Sequence, residues 1–218
     1  MRSSSEIISG LTDPGIIVVI RLESADEILP VAEALLAGGV KALELTLTMR
    51  GAMKAIEAAA VRFSREAVVG AGSVTGEDQC RAALGAGAEF IVSPIARTEL
   101  VRVVHGEGKV IILGAYTPTE AQAVHEAGAD FVKLFPADGL GPGYIRALRA
   151  PLPHLRVIPT GGVDLETAAG FLRAGCCALA VGSSLVSAQI VREKNWAELT
   201  RLASEFVRIS RQAKEQKA

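Results

Sequence analysis

The sequence predicts an α/β protein folded as a closed (β/α)8 TIM barrel with one extra helix at its N-terminus. Short β-branched or aliphatic runs alternate with alanine-rich amphipathic segments, the pattern of βα units feeding a parallel sheet. Eight such units follow one another, which favours closure into a barrel over an open sheet. Helices often end at a glycine before the next strand, as at Gly38-Gly39, Gly87, Gly128 and Gly175, where glycine supplies a left-handed cap. The 218 residues, 50% of them hydrophobic, suit a single domain spanning 1–218, near the short end of the usual range for this barrel. A doubly wound open sheet is the competing architecture. It would want GxGxxG behind the first strand, which residues 15–21 lack, while Gly70-Ala71-Gly72 has neither the third glycine nor the downstream acid.

An N-terminal helix over 4–12 precedes the first unit. The first strand is the run Ile-Ile-Val-Val-Ile at 16–20, followed by a helix over 25–37. The second strand, 42–47, alternates Leu43, Leu45 and Leu47 with Ala42, Glu44 and Thr46, and its helix covers 51–63. Strands at 67–71, 90–92 and 110–113 are each an apolar run before a helix, at 77–84, 97–105 and 118–127 respectively. The sixth strand, 131–134, leads to a helix over 143–148. The seventh and eighth, 156–158 and 178–181, lead to helices over 165–174 and 195–214. The cluster Arg192, Glu193, Lys194 and the charged tail 208–217 read as solvated helix faces.

Composition narrows the function. A formal net charge of −1 gives no basic field, and six Phe, two Tyr and one Trp leave few stacking platforms, so nucleic acid is not an expected partner. Cys80, Cys176 and Cys177 form neither a disulfide framework nor a zinc-ligand spacing, which fits a reducing compartment. No secretory leader and no membrane-spanning stretch is legible, so a soluble cytoplasmic protein is expected, without membrane association. His105, His125 and His154 lack HxH or HExxH spacing; no metal site is expected, and they read as surface residues.

Lys133 is the most informative residue. It interrupts the apolar run Phe131-Val132-Lys133-Leu134-Phe135-Pro136. Burial disfavours the charged form of an amine, so a lysine in such a strand is predisposed to act as a neutral nucleophile towards carbonyls. A snorkelling or ion-paired lysine is the structural alternative. In a barrel strand alternate side chains face the interior. Ala42, Glu44, Thr46 and Thr48 then face inward on the second strand, and Lys133 does so on the sixth with Phe131 and Phe135. A buried carboxyl and a buried amine would share one cavity, either as a catalytic pair or as a plain internal ion pair. Thr160-Gly161-Gly162 follows the seventh strand and Gly182-Ser183-Ser184 the eighth, and loops at these two positions commonly hold a phosphate in TIM barrels. Taken alone, each is also an ordinary glycine turn with a capping serine. Arg21 ends the first strand, as an anion contact or as a solvated cap. Ser73 ends the Gly70–Ser73 turn, where glycines admit a ligand near the backbone and the hydroxyl can donate.

Together Glu44-Leu-Thr-Leu-Thr48, Gly70-Ala-Gly-Ser73, Ser93-Pro94, Lys133-Leu-Phe-Pro136, Thr160-Gly-Gly162 and Val181-Gly-Ser183 resemble the bacterial 2-keto-3-deoxy-6-phosphogluconate aldolases, also active as 4-hydroxy-2-oxoglutarate aldolases. The resemblance runs from about residue 16 to 186 and lies in the order and spacing of the motifs. It implies a class I aldolase on a TIM barrel, a homotrimer needing neither metal nor organic cofactor, that cleaves a phosphorylated 2-keto acid to pyruvate and glyceraldehyde 3-phosphate. It makes Lys133 the Schiff-base residue and Glu44 the general acid/base. Ser73 stands where the family has a threonine for the pyruvate carboxylate, Pro94 and Phe135 join the substrate-binding set, and Thr160, Gly161, Gly162 and Ser183 fall on the phosphate loops. Many members carry an arginine at the position of Thr48, where it contacts the pyruvyl carboxylate; here the nearest arginine along the chain is Arg50. Arg21 resembles an arginine of a branch that also has threonine there, and would supply positive charge from across the barrel mouth. The same chemistry on 4-hydroxy-2-oxoglutarate or on the galactonate epimer, and a non-catalytic barrel binding a phosphorylated metabolite, are the alternatives.

Overall fold

The apolar runs form eight parallel strands: β1 Ile16–Ile20, β2 Ala42–Thr46, β3 Val68–Gly72, β4 Phe90–Val92, β5 Val110–Ala115, β6 Phe131–Leu134, β7 Val157–Pro159 and β8 Leu179–Val181. The computed structural model describes residues 2–216, so Met1 and the tail residues Lys217 and Ala218 lie outside the described residues. Consecutive strands pair side by side from β1 to β7, and β8 pairs with β1 through Ile17↔Ala180. The ring closes between β7 and β8 through the single bridge Thr160↔Ala180 and a hydrogen bond from the Cys177 N–H to the Val157 carbonyl at 3.0 Å. This is the predicted (β/α)8 barrel, and its β7–β8 seam is thin.

Ten α-helices surround it among the described residues: α1 Ser4–Thr12, α2 Ile28–Ala37, α3 Ala52–Arg62, α4 Glu77–Gly85, α5 Leu100–Gly106, α6 Pro118–Glu126, α7 Gly141–Arg149, α8 Ala168–Arg173, α9 Ala188–Arg192 and α10 Trp196–Glu215. Five depart from the pattern reading, α5 and α8 by beginning three residues later than expected, at Leu100 and Ala168. The expected helix over 25–37 opens as a 3₁₀ turn, Ala25–Glu27, with Ser24 accepting from the Asp26 N–H. Helix α7 starts two residues earlier than expected because Pro142 falls in its first turn, where a missing N–H costs nothing. The short α9 is too brief to show a period, although Ser187 caps it through the Ile190 N–H at 3.2 Å. Gly39, Gly87, Gly128 and Gly175 all take positive φ, as the cap reading requires.

Side-chain alternation divides the core in two. Val18, Leu43, Leu45, Val69, Ile111, Val132 and Leu134 pack outward under the helices. Ile17, Ala42, Val68, Phe90, Ile112, Phe131 and Ile158 fill the barrel interior. Helix α1, held by a capping box between Ser3 and Glu6, adds Ile7 and Leu11 to this inner cluster and plugs the amino-terminal end. Lys214 of α10 donates to the carbonyls of Thr12 and Pro14, and Ser210 to Pro14 at 2.6 Å, which ties the last helix to that plug. Closing one end leaves the carboxyl ends of the strands as the open face. No helix among the described residues is long and apolar enough to cross a membrane.

Phe90 is fully buried, and its ring occupies the space beside Gly70, where a Cβ would stand 2.5 Å from it. Phe90→Ala should lower the free energy of unfolding by about 3–5 kcal/mol, measured by urea denaturation.

Candidate active site

Two adjoining cavities open on the carboxyl face. The smaller, about 470 Å³, contains Lys133 and Glu44; the larger, about 690 Å³, runs over Gly161, Gly162 and Ser183 to the segment around α9. Val19, Arg21, Phe135 and Thr160 line both and form the passage between them.

Lys133 and Glu44 reach the same chamber because both sit at inward positions of their strands. Register places Glu44 between Val19 and Gly70, and Lys133 between Gly114 and Ile158. Their exposures are 6% and 2%, and Lys133 Nζ lies 3.5 Å from Glu44 Oε1. The two glycines of β3 make this possible. Gly70 gives its space to the Phe90 ring, and a Cβ on Gly72 would overlap the Glu44 carboxyl group. The Gly70–Ser73 turn was expected to admit a ligand to the backbone; the room is taken instead by these two side chains. The Phe135 ring, 38% exposed at the rim, faces Lys133 Nζ at 5.5 Å.

Every other expected site residue lies along the two cavities. Thr48, Ser73 and Pro94 line the smaller one. Thr48 Oγ1 donates to Thr46 Oγ1 at 3.1 Å, and Thr46 donates on to the Ile20 carbonyl at 3.3 Å. Ser73 adopts a positive φ of 62°, a conformation non-glycine residues rarely take. Arg50 lines neither cavity; an isolated bridge to Ser24 draws it to the β1–α2 loop, which leaves Arg21 as the arginine that reaches the passage.

The loop after β7 is built for close approach. Gly161 and Gly162 have φ of +90° and +64°, and the backbone of Asp138 packs so tightly on Gly162 that a Cβ there would lie 2.5 Å from its Cα. Ser184 Oγ donates to the Val163 carbonyl at 2.6 Å and joins this loop to the one after β8, leaving Ser183 on the cavity. Thr160 is only 8% exposed, and its hydroxyl has no protein partner. A buried unpaired hydroxyl is costly, so one at a cavity wall is matched to a ligand or water.

Sequence reading missed several lining residues. Gln79 and Thr75 face the smaller cavity from the start of α4. Arg192 and Lys194 are exposed, as their reading as solvated charges expects, and they also border the larger cavity; α9 ends at Arg192, and Lys194 takes φ 50° and pairs with Glu27 at 3.0 Å. The three histidines are exposed, as expected; His105 pairs with Asp130 at 3.0 Å, and His125 lies against His154 at 4.7 Å between ring centroids.

A family model described as KDPG and KHG aldolase matches residues 7–202. The chain belongs to this aldolase family. It is 34% identical over 196 residues to 2-dehydro-3-deoxy-phosphogluconate aldolase of Treponema pallidum, covering 89% of this chain and 92% of that one. It is also 34% identical over 199 residues to 2-dehydro-3-deoxy-6-phosphogalactonate aldolase of Escherichia coli, covering 91% and 95%. Among solved structures, KDPG aldolase from Legionella pneumophila, with pyruvate captured as a covalent carbinolamine intermediate, superposes with a TM-score of 0.84 at 29% identity, covering 91% of this chain and 96% of that one. The enzyme is thus a carbon–carbon lyase on a TIM barrel.

Two predictions follow from the geometry. Gly72→Ala should displace the Glu44 carboxyl group and lower aldol turnover by about 10²-fold or more, while overpacking costs about 1–3 kcal/mol of stability; steady-state kinetics beside thermal melting separates the two. Asp164, beside the glycine loop, accepts from the N–H groups of Thr167 at 2.8 Å and Glu166 at 3.0 Å. Those bonds, the Thr167 N–H foremost, hold its carboxyl below the usual range near 3.8. Because the folded value is depressed, the stabilisation is present above the unfolded value and disappears as pH falls through the folded one. Asp164→Ala should cost about 1 kcal/mol near neutral pH, with the difference from wild type closing under acid, measured by urea titrations across that range.

Proposed function

We propose that this aldolase cleaves 2-keto-3-deoxy-6-phosphogluconate reversibly to pyruvate and glyceraldehyde 3-phosphate. The observation that carries this reading is the buried Lys133–Glu44 pair at 3.5 Å, in a chamber that opens through Thr160 and Phe135 onto the Gly161, Gly162 and Ser183 loops. Lys133 attacks the C2 ketone as the free amine, and its Nζ proton passes to the nearest base, Glu44. Glu44 returns that proton to the C2 alkoxide to complete the carbinolamine, and a second proton, taken up by Glu44 from solvent, lets the hydroxyl leave as water and leaves an iminium ion. That cation is the electron sink. Glu44 next takes the proton of the C4 hydroxyl, the C3–C4 bond breaks into the iminium, and the aldehyde leaves. The enamine left on Lys133 is protonated at C3, and water adds to the regenerated iminium to release pyruvate.

The phosphate in this reading rests on the backbone N–H groups and hydroxyl of the β7 and β8 loops, with Arg21 and Arg192 as the nearby cations; Lys194 is paired with Glu27, and Glu23 and Asp164 line the same cavity. Those loops favour a phosphorylated substrate over 4-hydroxy-2-oxoglutarate. The galactonate epimer remains the nearest rival, since the E. coli relative carries that activity in its name; kcat/KM on the two epimers decides between them. The working form in this proposal is a cytosolic homotrimer, as the family resemblance implies, with light scattering as its check.

Borohydride reduction with pyruvate should place a reduced adduct on Lys133, located by peptide mass mapping; no adduct there would end the Schiff-base reading. Lys133→Ala should abolish turnover. Glu44→Gln should slow it by about 10²–10⁴-fold in a coupled pyruvate-release assay.

A further inference from the structure

On the reading above, the keto acid enters with C2 at Lys133 and its phosphate towards the β7 and β8 loops. Its C1 carboxylate projects from C2 away from that phosphate, into the part of the smaller cavity that the larger one does not share. Thr48, Ser73, Thr75 and Gln79 are the uncharged polar residues there. Apart from Lys133, no cation is confined to this region, because Arg21 lines both cavities. Arg21 can reach the carboxylate only from the passage, so the donors at the far end of this cavity are neutral.

Two hydroxyl protons are already committed. Thr48 donates to Thr46 at 3.1 Å and Thr75 to Gln79 Oε1 at 3.1 Å. Gln79 is held the opposite way: its Oε1 also accepts the Thr75 backbone N–H at 2.8 Å. A backbone N–H only donates, so the amide oxygen must face Thr75, and the amide's orientation is settled by its partner. The two Nε2 hydrogens point away from Thr75 and have no protein partner among the described residues. Gln79 is exposed at the cavity rim, where an incoming anion meets it.

We propose that Gln79 is a substrate-binding residue whose Nε2 donates to the C1 carboxylate of the keto acid and forms, with Ser73, a neutral carboxylate subsite. The side chain also has a structural duty, since it fastens the Thr75 backbone to the third position of α4. Gln79→Glu separates the two roles. The carboxylate still accepts both bonds from Thr75, but the amide donors are gone and a negative charge replaces them.

Pyruvate is the probe, because it carries only the ketone and the carboxylate. The measurement is the pyruvate concentration giving half-maximal borohydride inactivation through Lys133. Gln79→Glu should raise it roughly tenfold to a hundredfold, the range for a lost hydrogen bond to a charged group, with the melting temperature unchanged. The rise should persist in about 1 M salt, which screens long-range repulsion. The uncharged variant Gln79→Met should raise it as well. An unchanged half-saturating concentration in Gln79→Glu, or a rise that salt abolishes, overturns this inference while wild-type trapping leaves the aldol reading intact. A wild type that forms no adduct overturns both.

Discussion

The site depends on one contact, an amine and a carboxyl group brought to 3.5 Å at the wall of the smaller cavity, where both are more than nine-tenths buried. Such a pair gains little net stability, because desolvation of both groups offsets their attraction. The fold maintains it through strand parity. Each partner stands at an inward position of a short parallel strand, and a slip of one residue in either strand would turn its charged side chain under the helices. The surrounding leucines and valines on the opposite parity oppose any such slip, since they too would have to exchange the helix layer for the cavity.

Room for the pair comes from what β3 leaves out. Gly70 and Gly72 lie opposite Glu44 and Thr46 in register, and their missing side chains admit the Phe90 ring below and the Glu44 carboxyl group above. Hydrophobic packing and catalytic placement thus share one strand, with Gly70 making room for the Phe90 ring and Gly72 for the Glu44 carboxyl group. At the far side of the chamber, the Phe135 ring and the buried Thr160 hydroxyl mark the passage towards the glycine loops.

Much of this was legible in the residues. The period-two alternation in 42–47 assigned Glu44 to the interior, and the lone amine in 131–136 assigned Lys133 there too, because each reading needs only strand parity. The (β/α)8 architecture followed from counting units. Other features depend on contacts that no local pattern encodes. The room made by Gly70 and Gly72 reads as turn chemistry until Phe90 and Glu44, distant in sequence, are seen filling it. Gln79 looks like an ordinary helix former until the cavity walls are traced, and Lys194, exposed as its reading as a solvated charge expects, also borders the larger cavity. Helix α9 has five residues, fewer than two turns, so it offers no period to detect.

The joint between β7 and β8 is the weakest stretch of the barrel wall, held by one bridge and few backbone bonds. The two glycine-bearing loops rise from its opposite banks. Under the proposed function, a phosphate held by both loops would add hydrogen bonds across a joint that the main chain itself bridges sparsely.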